Sequence, residues 1–254
     1  MKKAIGILIL CAASLGAQQR EIVFAGFGGA INQVVDGAGW KTTMTFINFS
    51  NTKVANALLN FYDDSGAPMT LTTNLGTFPT FTLTIPTKGT ITLTTAGLKS
   101  TLSQGWGELV SNDKIGGTTV FTFGAPGQPA YEASEPLDTD KQTDYVLPFD
   151  HTNGYATGFA VENPFSFSTP VLVVFRDQNG NQILSDSFTL GAREHRAFTL
   201  TQRYPQTVNL FGTVEISTSG LWLNVLGLRF APSGVFTSVA PLNCALCSIG
   251  GVIN

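Results

Sequence analysis

Gly39-Trp40-Lys41-Thr42-Thr43-Met44-Thr45-Phe46-Ile47-Asn48 returns 115 residues later as Gly154-Tyr155-Ala156-Thr157-Gly158-Phe159-Ala160-Val161-Glu162-Asn163. Phe61-Tyr62-Asp63-Asp64-Ser65-Gly66 returns as Phe175-Arg176-Asp177-Gln178-Asn179-Gly180, 114 residues on. Gly105-Trp106-Gly107-Glu108-Leu109 then matches Gly212-Thr213-Val214-Glu215-Ile216, and Phe123 matches Phe230, both at 107. Pro136-Leu137 answers Pro241-Leu242 at 105. The order is kept while the offset drifts, as it does when only loops change length. A period this long predicts two similar domains and not a solenoid of short repeats.

Within each copy the hydrophobic period is two. Phe81, Leu83 and Ile85 alternate with Thr82 and Thr84, and Ile91 and Leu93 alternate with Thr90, Thr92 and Thr94. Such alternation places apolar side chains in a core and Thr towards solvent. Val171-Leu172-Val173-Val174-Phe175 is apolar throughout, which predicts a strand covered on both sides. Asp63-Asp64-Ser65-Gly66 and Asp177-Gln178-Asn179-Gly180 read as hairpin turns, with Gly supplying positive φ. The one helix-like piece, around Thr201 to Asn209, is interrupted by Pro205. Composition agrees: 32 of 254 residues are Thr, a β-branched residue poor in helices. The expected fold is all-β, two tandem antiparallel β-sandwiches of immunoglobulin-like type, with an antiparallel barrel as the rival for each copy. Their spans are residues 21–137 and 144–242, joined through the polar stretch Leu137 to Thr143 and followed by a tail over 243–254.

Gly39-Trp40-Lys41-Thr42-Thr43, Asn48, Phe61-Tyr62-Asp63-Asp64-Ser65-Gly66 and Gly227-Leu228-Arg229-Phe230 together resemble uncharacterised secreted bacterial proteins built from paired β-sandwich repeats. The resemblance covers nearly all of the chain after its leader. Its motifs are strand starts, turns and core aromatics, so it implies a fold and transfers no catalytic residue.

Met1 to Ala17 reads MKKAIGILILCAASLGA, with Lys2 and Lys3, an apolar stretch from Ala4 to Ala13, and small residues at Ser14, Gly16 and Ala17. That is the layout of a secretory signal peptide cleaved after Gly16 or Ala17, and its apolar run is short for a membrane span. Cys11 raises a lipoprotein reading, but Leu10 stands where lipidation wants a small residue. No other stretch is apolar enough to span a membrane. Removing Lys2 and Lys3 takes the net charge from -3 to -5, and with no basic run a nucleic-acid partner is excluded. Cys244 and Cys247 are then the remaining cysteines, and an oxidising compartment favours a disulfide between them. An intermolecular cross-link, free thiols and a redox C-x-x-C are the alternatives.

Chemistry is sparse. His195 sits in Ala192-Arg193-Glu194-His195-Arg196, His151 beside Asp150, and no G-x-S-x-G elbow accompanies them. Asp63 and Asp64 are adjacent and on a strand would face opposite ways. Glu108 and Glu215 occupy equivalent places, one per copy, and read as outward-facing strand residues; the rival is a glycosidase pair, which needs its carboxyls about 5 to 10 Å apart. Asp177-Gln178-Asn179-Gly180-Asn181 lacks the spacing and closing Glu of a calcium loop. Gly26, Gly28 and Gly29 are not followed by the Lys-Ser/Thr of a phosphate cradle. No metal site or cofactor is expected.

Aromatics carry the one hint of binding. Trp40 and Tyr155 share a strand start and, with Trp106, are candidate platforms for sugar rings; Trp222, Tyr62 and Tyr131 are further flat faces. The alternative is that these rings plug the ends of the sandwiches. The leading expectation is a non-enzymatic exported protein for cell-surface or extracellular interaction, meeting a protein or polysaccharide partner. Carbohydrate binding through Trp40 and Tyr155 comes next, and a secreted hydrolase using Glu108 or Asp63 last.

Overall fold

The computed structural model describes residues 27–124, 129–219 and 222–244. The expected leader, Cys11 and Cys247 lie outside the described residues. The chain is built almost entirely of antiparallel strands. The first half contains β1 (Phe27–Asp36), β2 (Trp40–Asn48), β3 (Ala55–Asp63), β4 (Leu71–Thr73) and β5 (Gly76–Phe78). It continues with β6 (Thr80–Ile85), β7 (Thr90–Thr94), β8 (Ser103–Ser111), β9 (Ile115–Phe123) and β10 (Tyr131–Pro136). The second half contains β11 (Asp144–Asp150), β12 (Ala156–Glu162), β13 (Thr169–Asp177), β14 (Gln182–Leu190) and β15 (His195–Thr199). A single-turn helix, α1 (Leu200–Arg203), follows where Pro205 stops it. Then come β16 (Phe211–Ser217), β17 (Asn224–Phe230), β18 (Phe236–Val239) and β19 (Leu242–Asn243).

The first half has sheets ordered β1-β8-β3-β6 and β10-β9-β2-β7; the second has β19-β11-β16-β13-β14 and β18-β17-β12-β15. Setting aside β19 and the β4–β5 hairpin, the two halves have one strand order. The pairs β3–β8 and β2–β7 are those of the immunoglobulin arrangement. The outer strands are exchanged, however: β1 lies beside β8 and β9 beside β2, where that arrangement would pair the first strand with the second. In each half the chain changes sheet after the first strand. Gly37, Ala38 and Gly39 all have positive φ, and Gly37 and Trp40 exchange both backbone hydrogen bonds, so Ala38-Gly39 is a two-residue hairpin turn beyond which β1 and β2 part into different sheets. The buried Thr42 hydroxyl holds the two strands where they part, accepting from Val35 N–H at 3.0 Å and donating to Val35 C=O at 2.7 Å. Thr157, its counterpart, accepts from Asp150 N–H.

Two further motif residues serve the same structural ends in both halves. Asn48 donates to the carbonyls of Lys53 and Ile85 and accepts from Ser50 N–H. Asn163 donates to those of Phe167 and Gly191 and accepts from Phe165 N–H. Each thus ties the loop leaving its strand to the end of another strand. Asp63 and Asp177 close the expected turns, each accepting from the backbone N–H groups two and four residues on. Gly105 and Gly212 are glycines for want of room: an added Cβ would lie 1.9 Å from the carbonyl oxygen of Tyr62 or Arg176.

Each pair of sheets encloses a core. Phe46, Leu59, Phe61, Leu71, Leu83 and Ile85 fill the first, and Leu147, Phe159, Val173, Phe175, Val214 and Ile216 the second. In β6 the alternation is as the sequence implies, with Phe81, Leu83 and Ile85 inward and the threonines exposed. β13 is not covered on both faces, since Leu172 is half-exposed; residues 30–36 of β1 are all buried, and so are six of the seven residues of β12. The second covering of β12 is the other half of the molecule.

Replacing either amide clamp should strand several backbone groups at once. Asn48→Ala and Asn163→Ala are each expected to cost about 2 to 4 kcal/mol in urea unfolding. Asn179→Ala, at a turn where only the backbone N–H is used, should cost less than about 0.5 kcal/mol.

Candidate functional site

At the junction between the halves the repeat diverges in chemistry. On the outer face of the first half, Thr43 and Thr45 pair hydroxyl to hydroxyl with Thr94 and Thr92, forming a hydrated ladder. Their counterparts are Gly158 and Ala160, small enough to let another layer approach. The first half lays β1 and β10 against this face, beside β12, β17 and β18. Val35, Phe121 and Ala133 from the first half pack with Ala160, Leu226 and Phe236 from the second. Linker residues are tied to both sides, Asp138 pairing with Ala30 and Gln142 with Leu223.

Trp40 belongs to this seam. Its ring lies 4.9 Å from Phe123 and 5.1 Å from Phe236, so it is wedged between the halves and half-buried. An apolar cleft of about 230 Å³ runs beside it, lined by Leu102, Phe121, Phe198, Leu228 and Phe230. Tyr155, at the equivalent strand start, has one face covered by the Arg229 guanidinium at 3.7 Å. Arg229 is held there by Asp150, whose carboxyl this pairing and the Thr152 hydroxyl depress to about 2. Trp106 offers no face to solvent. It is fully buried, stacked on Tyr62, and donates its indole N–H to Arg193 C=O at 2.8 Å. The sandwich-end plug describes it, and what it plugs is the joint between halves.

Around Trp106 the polar contacts bolt the joint. Arg193 reaches from the second half to Glu108 at 2.7 Å, with its guanidinium over the rings of Tyr62 and Trp106. His195, fully buried, meets Asp64 at 2.7 Å through Nδ1, and its backbone N–H donates to Asp64 C=O. Glu215 pairs with Arg176 instead, inside its own half. Glu108 and Glu215 therefore stand in separate ion pairs, and Asp63 is occupied by its turn. His151 is buried in the second half, with Nδ1 against Thr207 C=O at 3.1 Å. Burial pushes its ring below the ordinary histidine range.

Two spaces flank the joint. A groove of about 420 Å³ is lined by Trp106, Glu108, Lys114, Asp138, Lys141 and Trp222, among others. Trp222 is half-exposed, with the Phe165 ring 4.3 Å away at a steep angle and the Lys141 ammonium 4.8 Å over its own ring. The second space, about 300 Å³, is acidic: Glu135, Asp138 and Asp140 line it with Asn32, Gln142 and Tyr145. Burial raises the Glu135 carboxyl well above the usual carboxylate range and brings Asp138 up to about 6. Glu162, fully buried nearby and also raised by burial, stands where the first half has Ile47. Sequence reasoning passed over Asn32, Glu135, Asp138 and Glu162, because each reads locally as a strand or linker polar residue. The one signal was the loss of the apolar residue at Glu162 relative to its repeat partner.

Among the described residues no group of three or more His, Cys, Asp and Glu side chains is arranged to hold a metal ion by itself. No helix of the described chain is long and apolar enough to cross a membrane.

Two outcomes test this geometry. Ala160→Arg drives a charge into the seam and should split a single calorimetric unfolding transition into two, whereas Thr45→Arg on the hydrated face should leave one. For His151, the folded ring takes up its proton at a lower pH than the unfolded chain does, near 6.5. Stability is therefore full above about pH 6.5 and falls as pH drops towards the folded value. Urea midpoints between pH 7 and pH 5 should show a flatter profile for His151→Gln than for the wild type.

No family model matches the chain, and no curated protein is significantly similar to it.

Proposed function

We propose that the chain is an exported, non-enzymatic interaction protein made from two copies of one β-sandwich module, which meets a protein or polysaccharide partner at the cell surface. The observation that carries this reading is how the shared residues are spent. Thr42 and Thr157 hold the links after the first strand of each half, Asn48 and Asn163 tie loops, Asp63 and Asp177 close turns, and Gly105 and Gly212 let backbones touch. What these shared residues have in common is thus a scaffold, while residues that differ between the halves, among them Gly158, Ala160 and Glu162, lie at the joint. Function by rigid presentation follows from such a design, with loops and clefts positioned by packed sheets. Removal of residues 1–17 on export, and a Cys244–Cys247 disulfide in the tail, are parts of the same proposal.

The test is expression of the full chain with its own leader. The extracted protein is expected to begin at Ala17 or Gln18, to lack free thiols, and to bind saturably to intact cells when labelled. A cytoplasmic product that retains its leader overturns the export reading. Turnover of a polysaccharide or peptide substrate that Glu108→Gln abolishes overturns the non-enzymatic one.

Within this reading, Trp222 favours a polysaccharide over a protein partner. It is the half-exposed tryptophan of the larger groove, and Glu108, Lys114, Asp138 and Lys141 line the same wall. A ring to stack on, flanked by groups that bond hydroxyls, suits a sugar. Trp40 is wedged between Phe123 and Phe236 in the seam, and Tyr155 does not line this groove. On a glycan array Trp222→Ala should weaken retention by about tenfold or more, with Tyr155→Ala near wild type. Absence of any glycan retained by the intact protein discards the sugar and leaves a protein partner.

A further inference from the structure

The acidic pocket contains two oxygen atoms whose position needs an explanation. Asn32 is 4% exposed, and its Nδ2 donates to Val225 C=O and Asp138 while its Oδ1 has no hydrogen-bond partner. Glu135, also 4% exposed, accepts from Gln33 N–H through Oε1, and its Oε2 has no partner. Both residues line the pocket, with Asp138 and Asp140. Neither Lys, Arg nor His lines it, so the buried Glu135 and the half-buried Asp138 border this space without a cationic side chain, with Asp140 exposed at its rim. A buried carboxylate and a buried amide oxygen left unpaired are each costly.

The backbone takes trouble to put them there. Between Ile31 and Val34 the register of β1 against β8 slips, so Asn32 and Gln33 form a bulge in an otherwise regular ladder. Bulges re-aim side chains, and this one turns an amide towards the joint. Asp138 is fixed by two backbone hydrogen bonds to Ala30, at 2.7 and 2.9 Å, and its Oδ1 accepts from Asp140 N–H. The pocket walls come from both halves, since Tyr145, Val225 and Leu226 complete it.

We propose that this pocket binds a divalent cation of the calcium class, held by Asn32 Oδ1, the Glu135 carboxylate and the Asp138 carboxylate. Such ions take carboxylate and amide oxygens in irregular arrangements and keep some water, which a pocket of about 300 Å³ has room for. Magnesium demands a tighter octahedron, and zinc or copper would want the nitrogen or sulfur ligands that are absent from the lining. Two carboxylates match the ion's charge, and Asp140 at the rim adds attraction for its entry. Because both halves wall the pocket, the ion would brace the joint.

The experiment is calorimetric titration of calcium chloride into the full purified protein after EDTA treatment and dialysis, with magnesium chloride as comparator. One saturable site, tighter for calcium than for magnesium, is expected. Glu135→Gln and Asp138→Asn should each weaken it by about tenfold or more, and Asp113→Asn, a loop residue outside the pocket, should not. In EDTA, Glu135→Gln should melt at or above the wild-type temperature, because it removes a buried charge and keeps the shape. In calcium only the wild type should gain. No saturable binding up to about 10 mM calcium, beyond the weakest extracellular sites, would overturn the proposal. So would binding that both pocket variants leave unchanged.

Discussion

Covering the outer face of the β15-β12-β17-β18 sheet is the constraint on which the rest of the molecule depends. A sheet that packs a core on one side and turns Gly158, Ala160, Leu226 and Leu228 outward on the other cannot be left in water. The first half supplies the cover, and in doing so converts two sandwiches into one body. The joint is apolar along Trp40, Phe121 and Phe236 and polar where Arg193 meets Glu108 and His195 meets Asp64. Burying area supplies the driving force, while the polar contacts fix orientation, because each needs a partner at one place only.

That arrangement runs against a local stability rule in one region. Glu135, Asp138 and Glu162 lie close together at the joint with their carboxyls desolvated. Buried carboxylates without counter-charges weaken an interface, and a sequence under no other demand would replace them with apolar residues. Local rules broken at a joint mark places where something besides packing is at stake.

Much of the scaffold was legible in the sequence. Period-two alternation in Phe81-Leu83-Ile85 and the paired Asp-x-x-Gly turns depend on neighbours along the chain, so the chain alone reveals them. The swapped outer strands were not legible, because the Ala38-Gly39 hairpin turn looks the same whether its two strands stay in one sheet or part into two. Trp106 reads locally as a possible platform, since a tryptophan's burial depends on which half lies over it. His195 and Asp64 are 131 residues apart and meet only through the docking of two folded units. Binding residues suffered most: the pocket collects side chains from β1, β10, the linker and the second half, each unremarkable on its own strand.

The threonine ladder of the first half has a consequence for assembly. The face that would receive a third module is the one carrying Thr43, Thr45, Thr92 and Thr94, whose hydroxyls satisfy one another and water. It offers no oily, small-residue bed of the kind Gly158 and Ala160 provide. The stack is thus self-terminating in that direction: one module is built to be sat upon and the other to end the row, as the polar end caps of repeat arrays do.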